Sequence, residues 1–309
     1  MGEFSFIEQI VRLCDKLPSN GYEGIGDDCA VLPIDGRRSL LFSSDMLVEG
    51  VHFLREATSP YDLGAKSLTV NLSDIAAMGG KPTATLLSLS IPSELNEGWI
   101  AEFMVGYTDC AAKYDVALIG GDTTSSINGL VINVTVIGVA ESGNIKRRSA
   151  ATEGDKIYVT GVLGASGAGL KDILNGRYDT PNATLHKRPT PRVAEGEWLG
   201  ARADVGAMMD ISDGIASDLR HIMRCSGVGA AVELSAIPTD VEITDALCGG
   251  EDYELLLTVR GDEAVFERDY LNRFGVKPFK IGEITKEGSL RWLNDGVEDK
   301  REFMGFTHY

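Results

Sequence analysis

The sequence is short of positive charge, of paired cysteines and of long apolar runs. Lys and Arg number 29 against 46 Asp and Glu, a formal net charge of −17, which argues against nucleic acid or an anionic membrane as partner. The 5 cysteines, Cys14, Cys29, Cys110, Cys225 and Cys248, are scattered and never form a C-x-x-C pair, so they support neither a disulfide framework nor a thiolate zinc site. That usage fits a reducing cytosol. No stretch approaches the roughly 20 apolar residues of a membrane span, and no cationic segment followed by an apolar run opens the chain. The expectation is a cytoplasmic protein with no membrane partner. What is present is ordinary for a soluble globular protein: 309 residues, 43% hydrophobic and 24% charged, with room for two domains that each have a core.

One stretch organises the rest. From Ser59 to Met78 the chain reads as a helix, with Ser59 as its cap, Pro60 at the first helical position, Asp62 at the positive end, and Gly79, Gly80 and Pro82 to stop it. Most of its positions are apolar, yet Ser67, Asn71 and Asp74 fall at i, i+4 and i+7, one narrow polar stripe. Taken alone the stripe suits a solvent-facing edge. If it is buried, Asp74 needs a cation or several hydrogen bonds, and no Lys or Arg is apparent on that face.

Other acids punctuate the chain at comparable places. A helix near residues 5–17 is followed by Gly24-Ile-Gly-Asp-Asp28, leading into the strand Ala30–Pro33, so Asp27 and Asp28 sit at a glycine-permissive turn. Ser39–Ser44 reads as a strand ending in Asp45, with Ser43, Ser44 and Asp45 as adjacent oxygen donors and His52 close behind. Oxygen donors suit Mg2+ far better than zinc. A strand near 84–91, a helix near 97–114 and a strand from Val116 then lead to Gly120-Gly-Asp122, another carboxylate at a strand end. Each of these could equally be a plain turn or cap. From Glu141 to Asp155 the chain turns polar, with Lys146, Arg147 and Arg148 together. The domain boundary falls here, giving 1–140 and 141–309, and the basic trio is either a solvated connector or an anion contact.

In the second half, Gly161–Gly169 fails the phosphate-loop spacing and reads as tight strand–helix packing. Asp210, Ser212 and Asp213 stand where an apolar strand meets a helix, and Gly249-Gly-Glu-Asp-Tyr-Glu254 precedes the strand 255–259. Later helix and strand patterns complete an α+β domain. If Asp27, Asp28, Asp45, Asp74, Asp122, Asp210 and Asp213 converge, their repulsion demands several divalent cations, which would recruit a polyphosphate. The chemistry expected is phosphoryl transfer.

Gly24–Ala30, Ser43-Ser-Asp45 with Gly50-Val-His52-Phe53, Asn71-Leu-Ser-Asp-Ile-Ala-Ala-Met-Gly79, Gly120-Gly-Asp-Thr-Thr124, Asp210-Ile-Ser-Asp-Gly214 and Gly249–Glu254 together, in order along nearly the whole chain, resemble the thiamine-monophosphate kinase family. That family belongs to the ATP-binding superfamily of aminoimidazole ribonucleotide synthetase and selenophosphate synthetase. The resemblance implies a two-domain α/β fold and a homodimer in which the N-terminal sheets pair into a barrel. It also implies ATP-dependent conversion of thiamine monophosphate to thiamine diphosphate. Carried over by position, magnesium ligands fall on Asp28, Ser43, Ser44, Asp45, Asp74, Asp122, Asp210 and Asp213, of which Asp74, Asp122, Asp210 and Asp213 would serve the reaction itself. ATP would meet Tyr107, Gly121, Asp122, Arg148 and Ser212; thiamine monophosphate would meet His52, Glu251 and Phe306. The alternatives are a sister reaction of the superfamily or a non-catalytic acidic metal-binding protein.

Overall fold

A computed structural model describes residues 3–14 and 16–305. The first half runs α1 (Glu3–Cys14), β1 (Ala30–Pro33), β2 (Arg38–Val48), α2 (Pro60–Ala77), β3 (Lys81–Pro92), α3 (Glu97–Lys113), β4 (Ala117–Ser126) and β5 (Val131–Glu141). The second runs β6 (Lys156–Val159), α4 (Ala165–Leu174), α5 (Pro181–Lys187), α6 (Val193–Gly200), β7 (Val205–Asp210), α7 (Ile215–Ser226), β8 (Gly229–Glu233), α8 (Ile243–Cys248), β9 (Leu255–Val259), α9 (Glu263–Phe274), β10 (Phe279–Thr285), β11 (Leu290–Asn294) and β12 (Val297–Asp299).

The strands form two sheets. The five-stranded sheet is ordered β1-β2-β5-β3-β4, antiparallel except for the parallel pair β3–β4. The seven-stranded sheet is ordered β12-β11-β8-β10-β6-β9-β7, with β8–β11 its parallel pair. The architecture is therefore mixed α/β, as expected.

Helix α2 lies where the two halves meet. Its start is as read: the Ser59 hydroxyl accepts from the Asp62 backbone N–H at 3.0 Å, and Pro60 opens the helix. Its apolar face is fully sequestered, with Leu63, Leu68, Leu72 and Ile75 each 0% exposed, worth about 1.5–3 kcal/mol per side chain. Gly64 and Gly106 let α2 and α3 cross almost backbone to backbone. An added Cβ would lie 2.0 Å from the Phe103 carbonyl in one case and 1.9 Å from the Tyr61 carbonyl in the other. Gly79, at φ +74°, then turns the chain out of the helix in a conformation that disfavours other residues. 

The two halves do not have separate cores. One apolar cluster runs from α2 and the first sheet into Tyr158, Met208, Leu257 and Phe266, and a second, with Ile157, Met209, Ile222 and Leu256, covers the other face of the larger sheet. Successive residues of β6, β7 and β9 are buried on both faces, so they carry no polar alternation.

Two strands are longer than their sequence pattern suggested. Asp45 sits inside β2 rather than at its end, and Asp122 sits inside β4. In both cases the ladder to the neighbouring strand continues past the polar residue, through Asp45↔Val134 and Ser88↔Asp122 to Val48↔Val131 and Pro92↔Ser126. 

Candidate active site

The stripe on α2 faces inward, not toward solvent. Ser67 is 1% and Asn71 0% exposed, and each polar group has a use. The Asn71 carbonyl oxygen accepts from the Asp45 backbone N–H at 3.0 Å and from the Ser43 hydroxyl at 3.2 Å, and the Ser43 hydroxyl also donates a short hydrogen bond to Asp74. On the next helix position, Ser73 donates to the Asp210 carboxylate at 2.5 Å. One helix thus orients side chains from β2 on one side and β7 on the other.

Around this helix the acids of distant segments meet. Carboxylate oxygens of Asp28, Asp74 and Asp210 lie within 4.8 Å of one another, and Asp45 is close enough for its charge to act on Asp74. Burial, with mutual repulsion added, pushes the carboxyls of Asp45 and Asp74 above the usual range and that of Asp210 up to about 8. Burial raises Asp28 as well, against the opposing pull of Arg148. Arg148 donates to Asp28 Oδ1 at 2.5 Å, and its backbone N–H is held by Asp27 at 2.8 Å. Asp28 Oδ2 and Arg148 Nε are both buried without a hydrogen-bond partner.

The basic trio therefore divides. Lys146 donates to the carbonyls of Arg202 and Val205 at 2.7 and 3.0 Å, Arg147 pairs with Glu23, and only Arg148 borders the acids. A single guanidinium cannot neutralise four close carboxylates. Their donor set is all oxygen, one buried oxygen lacks a partner, and the carboxyls repel one another, so the residues fit a hard divalent cation.

The acids open into a cleft of about 690 Å3 lined from both halves of the chain. Asp45, Asp74, Asp210, Ser212 and Asp213 line one part of it; His52, Lys66, His186 and Glu251 line another, beside an apolar wall that includes Leu54, Leu170 and Ile173. His52 Nδ1 accepts from the Val48 backbone N–H at 3.0 Å, which fixes its ring in the turn after β2. The Asp213 backbone N–H donates to Asp218, a fully buried acid whose other oxygen has no partner.

Four of the residues expected at the site are not brought to the acids. Ser44 lies on the opposite face of β2, bonded to Thr135 at 2.9 Å, because neighbours in a strand point to opposite sides. Cross-strand register places Asp122 in one row with Ser88, Asn133 and Met46, on the same exposed face as Ser44, and its carboxylate accepts from the Thr123 backbone N–H. Gly121 is exposed beside it on β4. Tyr107 is 0% exposed, its ring stacked on Phe103 and its hydroxyl 2.7 Å from that of Thr85, so it faces the core and not the cleft. Phe306 lies outside the described residues. 

Lys66 was the residue that the sequence reading passed over. It precedes Asp74 by two helical turns, lines the same cleft, and is 2% exposed, so the acid-bearing helix does carry a buried cation. Its partner is Glu251, at 2.9 Å, and not Asp74. The i, i+4, i+8 spacing of Lys66, Val70 and Asp74 was the available signal.

Comparison with known proteins agrees with this geometry. Residues 26–140 match the family model of the AIR synthase related protein N-terminal domain, and residues 152–292 match that of its C-terminal domain. The chain is 39% identical to the thiamine-monophosphate kinase of Salmonella typhimurium, over 100% of this chain and 98% of that one. With the Bacillus subtilis thiamine-monophosphate kinase the identity is 40%, over 93% of each. The solved structure of AaThiL complexed with AMPPCP and TMP superposes with a TM-score of 0.85 at 30% identity, covering 100% of this chain and 97% of the other. The chain belongs to the thiamine-monophosphate kinase family, within the AIR synthase related proteins.

Proposed function

We propose that this protein phosphorylates thiamine monophosphate with ATP, giving thiamine diphosphate and ADP. The observation that carries the reading is the meeting of Asp28, Asp74 and Asp210, from three distant segments, beside a cleft lined by both halves. Family membership supports the substrate, and the relative solved with AMPPCP, an ATP analogue, and TMP supports both ligands.

The acceptor is a phosphate monoester, largely dianionic near neutral pH because its second pKa is about 6. It needs no side-chain base. An oxygen of that phosphate attacks the γ-phosphorus of ATP in line, a new P–O bond forms as the bond to the β-phosphate oxygen breaks, and ADP leaves. Mg2+, when bound, neutralises charge on the transferring phosphates. Asp28, Ser43, Asp45, Asp74, Asp210 and Asp213 are proposed to hold it, whereas Ser44 and Asp122 lie on the other face of the sheet, away from these acids. Arg148 offers a fixed positive charge next to Asp28, and Ser212 lines the cleft for the nucleotide. His52, Glu251 and Phe306 are proposed for the thiamine moiety, whose cationic ring suits a carboxylate and an aromatic face.

We further propose a domain boundary after residue 140, supported by the polar connector, and a cytoplasmic location. Among the described residues no helix is long and apolar enough to cross a membrane. A homodimer with its N-terminal sheets closed into a barrel is proposed on the exposure of β4, where Leu118 is 40% and Ile119 59% exposed. Such an apolar sheet edge calls for cover.

The test is to incubate the purified protein with magnesium, ATP and thiamine monophosphate and to separate the thiamine products, beside Asp74→Asn. Thiamine diphosphate formed by the wild type and lost in the variant supports the reading. Nucleotide binding without thiamine diphosphate would move the assignment to a sister reaction of the superfamily.

A further inference from the structure

Beyond the acidic end of the cleft, a second buried charged group joins the two halves of the chain. Lys66 projects from α2, and its ammonium is 2.9 Å from Glu251 Oε2. His186, from α5, approaches the same oxygen, with Nδ1 3.4 Å from it and 2.9 Å from the Ser166 hydroxyl at the start of α4. Lys66 is 2% and His186 6% exposed. Both contacts fall on Oε2, which leaves Oε1 available to a ligand, and all three residues line the cleft.

The segment that carries Glu251 is held in an unusual backbone. Glu251 and Tyr253 have φ of +65° and +52°, a left-handed conformation rarely adopted by residues other than glycine. Hydrogen bonds enforce it. The N–H of Glu251 donates to Ser212 at 2.8 Å, that of Tyr253 to Ile211 at 2.9 Å, and the Asp252 carboxylate accepts from Gly164 and Ser166 at 2.7 and 3.2 Å. The loop is therefore fixed by the second half of the chain, whereas its side chain at Glu251 is fixed by a lysine of the first.

We propose that Lys66 is a positioning residue for substrate recognition: its buried ammonium holds the Glu251 carboxylate ionised and aimed into the cleft, where Oε1 faces the cationic part of the substrate. This rests on the proposed function. The neighbouring charges favour the assignment. Burial pushes Glu251 up, yet the charge and hydrogen bond of Lys66 help bring it below the ordinary glutamate value. Burial and then Lys66 bring His186 down to about 4, so His186 is neutral near pH 7 and leaves Lys66 as the charge that matters. Without Lys66 the carboxylate would be sequestered with no full positive charge beside it, and would take up a proton or turn toward water. Either change removes the acceptor for a cation and leaves the phosphates' end of the cleft untouched.

The experiment measures thiamine monophosphate binding by calorimetry, with magnesium and a non-hydrolysable ATP analogue, together with steady-state kinetics for both substrates. The proteins are wild type, Lys66→Met, Lys66→Arg, Glu251→Gln and the double variant Lys66→Met/Glu251→Gln. The expected result for Lys66→Met is a Kd and KM for thiamine monophosphate raised about tenfold or more, with KM for ATP unchanged and kcat altered less than about threefold. Lys66→Arg should recover most of the loss. The double variant leaves no unpaired buried charge, so it stays informative if Lys66→Met fails to fold, and it should match Glu251→Gln alone. A folded Lys66→Met with wild-type affinity overturns the proposal, as does a double variant much weaker than Glu251→Gln, which would mean that Lys66 acts independently. Wild type that binds thiamine monophosphate but does not phosphorylate it refutes the function and leaves this inference to the affinities; wild type that binds none refutes both.

Discussion

Replacing Asp210 by Asn should stabilise the cation-free protein while disabling it. Asp210 is 2% exposed, and burial, followed by the charge of Asp28, raises its carboxyl from 3.8 to about 8. The folded state therefore keeps its proton to higher pH than the unfolded chain does. Stability falls as pH rises through the window from about 4 to about 8, and is fully retained only below it. At pH 7 the carboxyl lies roughly three pH units above its unfolded pKa, and at about 1.36 kcal/mol per unit the deficit is about 4 kcal/mol. Asparagine removes this titration and still offers an oxygen to the Ser73 hydroxyl. It also gives up the attraction to Arg148, so a gain of about 2–4 kcal/mol is expected, or a rise in Tm of roughly 5–10 °C for a chain of this size. Thermal melts in a chelator, from about pH 5 to about pH 8, are the assay. The wild type should lose stability steadily across the range and the variant much less, so that the two curves converge at the acid end. Magnesium should rescue the wild type at pH 8 and the variant only weakly, and turnover in the variant should fall by about 100-fold or more. A variant that melts at or below the wild type in chelator at pH 8 would refute the claim that these acids are mutually destabilising, and with it the case for a cation among them.

Arg148→Met leaves Asp28, whose side chain is 1% exposed, without its cation; a loss of about 3–5 kcal/mol in urea unfolding is expected, whereas Arg148→Lys should lose less. Ile119→Arg places a charge on the exposed strand β4. If β4 forms the subunit interface, sedimentation should shift the protein from dimer to monomer; an unchanged dimer would locate the interface elsewhere.

Much of the site was legible because local chemistry fixed it. Ser59 and Pro60 cap α2, Gly79 ends it, and the spacing of Ser67, Asn71 and Asp74 put three polar groups on one face whatever that face met. Asp28, Asp210 and Asp213 could be marked as unusual since each stands where a turn joins an element. The placement of Ser44 was also within reach, because strand alternation forbids Ser43, Ser44 and Asp45 from sharing a face. It was obscured by a shared preference for oxygen donors.

What the chain alone could not decide was which faces would be covered and which side chains would meet. The inward orientation of the α2 stripe depends on β2 and β7 closing over it, and neither sheet's position is encoded in the periodicity of the helix. Asp122 illustrates the converse. Its Gly-Gly-Asp setting resembles a strand end, but pairing with β3 extends the ladder through it and leaves it on an exposed face. Lys66 and Glu251, 185 positions apart, become one ion pair only when the second half packs on α2. Sequence thus determined the donors, the helix that presents them and the acidic excess that calls for cations. Tertiary structure decided which donors converge, since burial and long-range charge contacts arise only from packing segments that are remote along the chain.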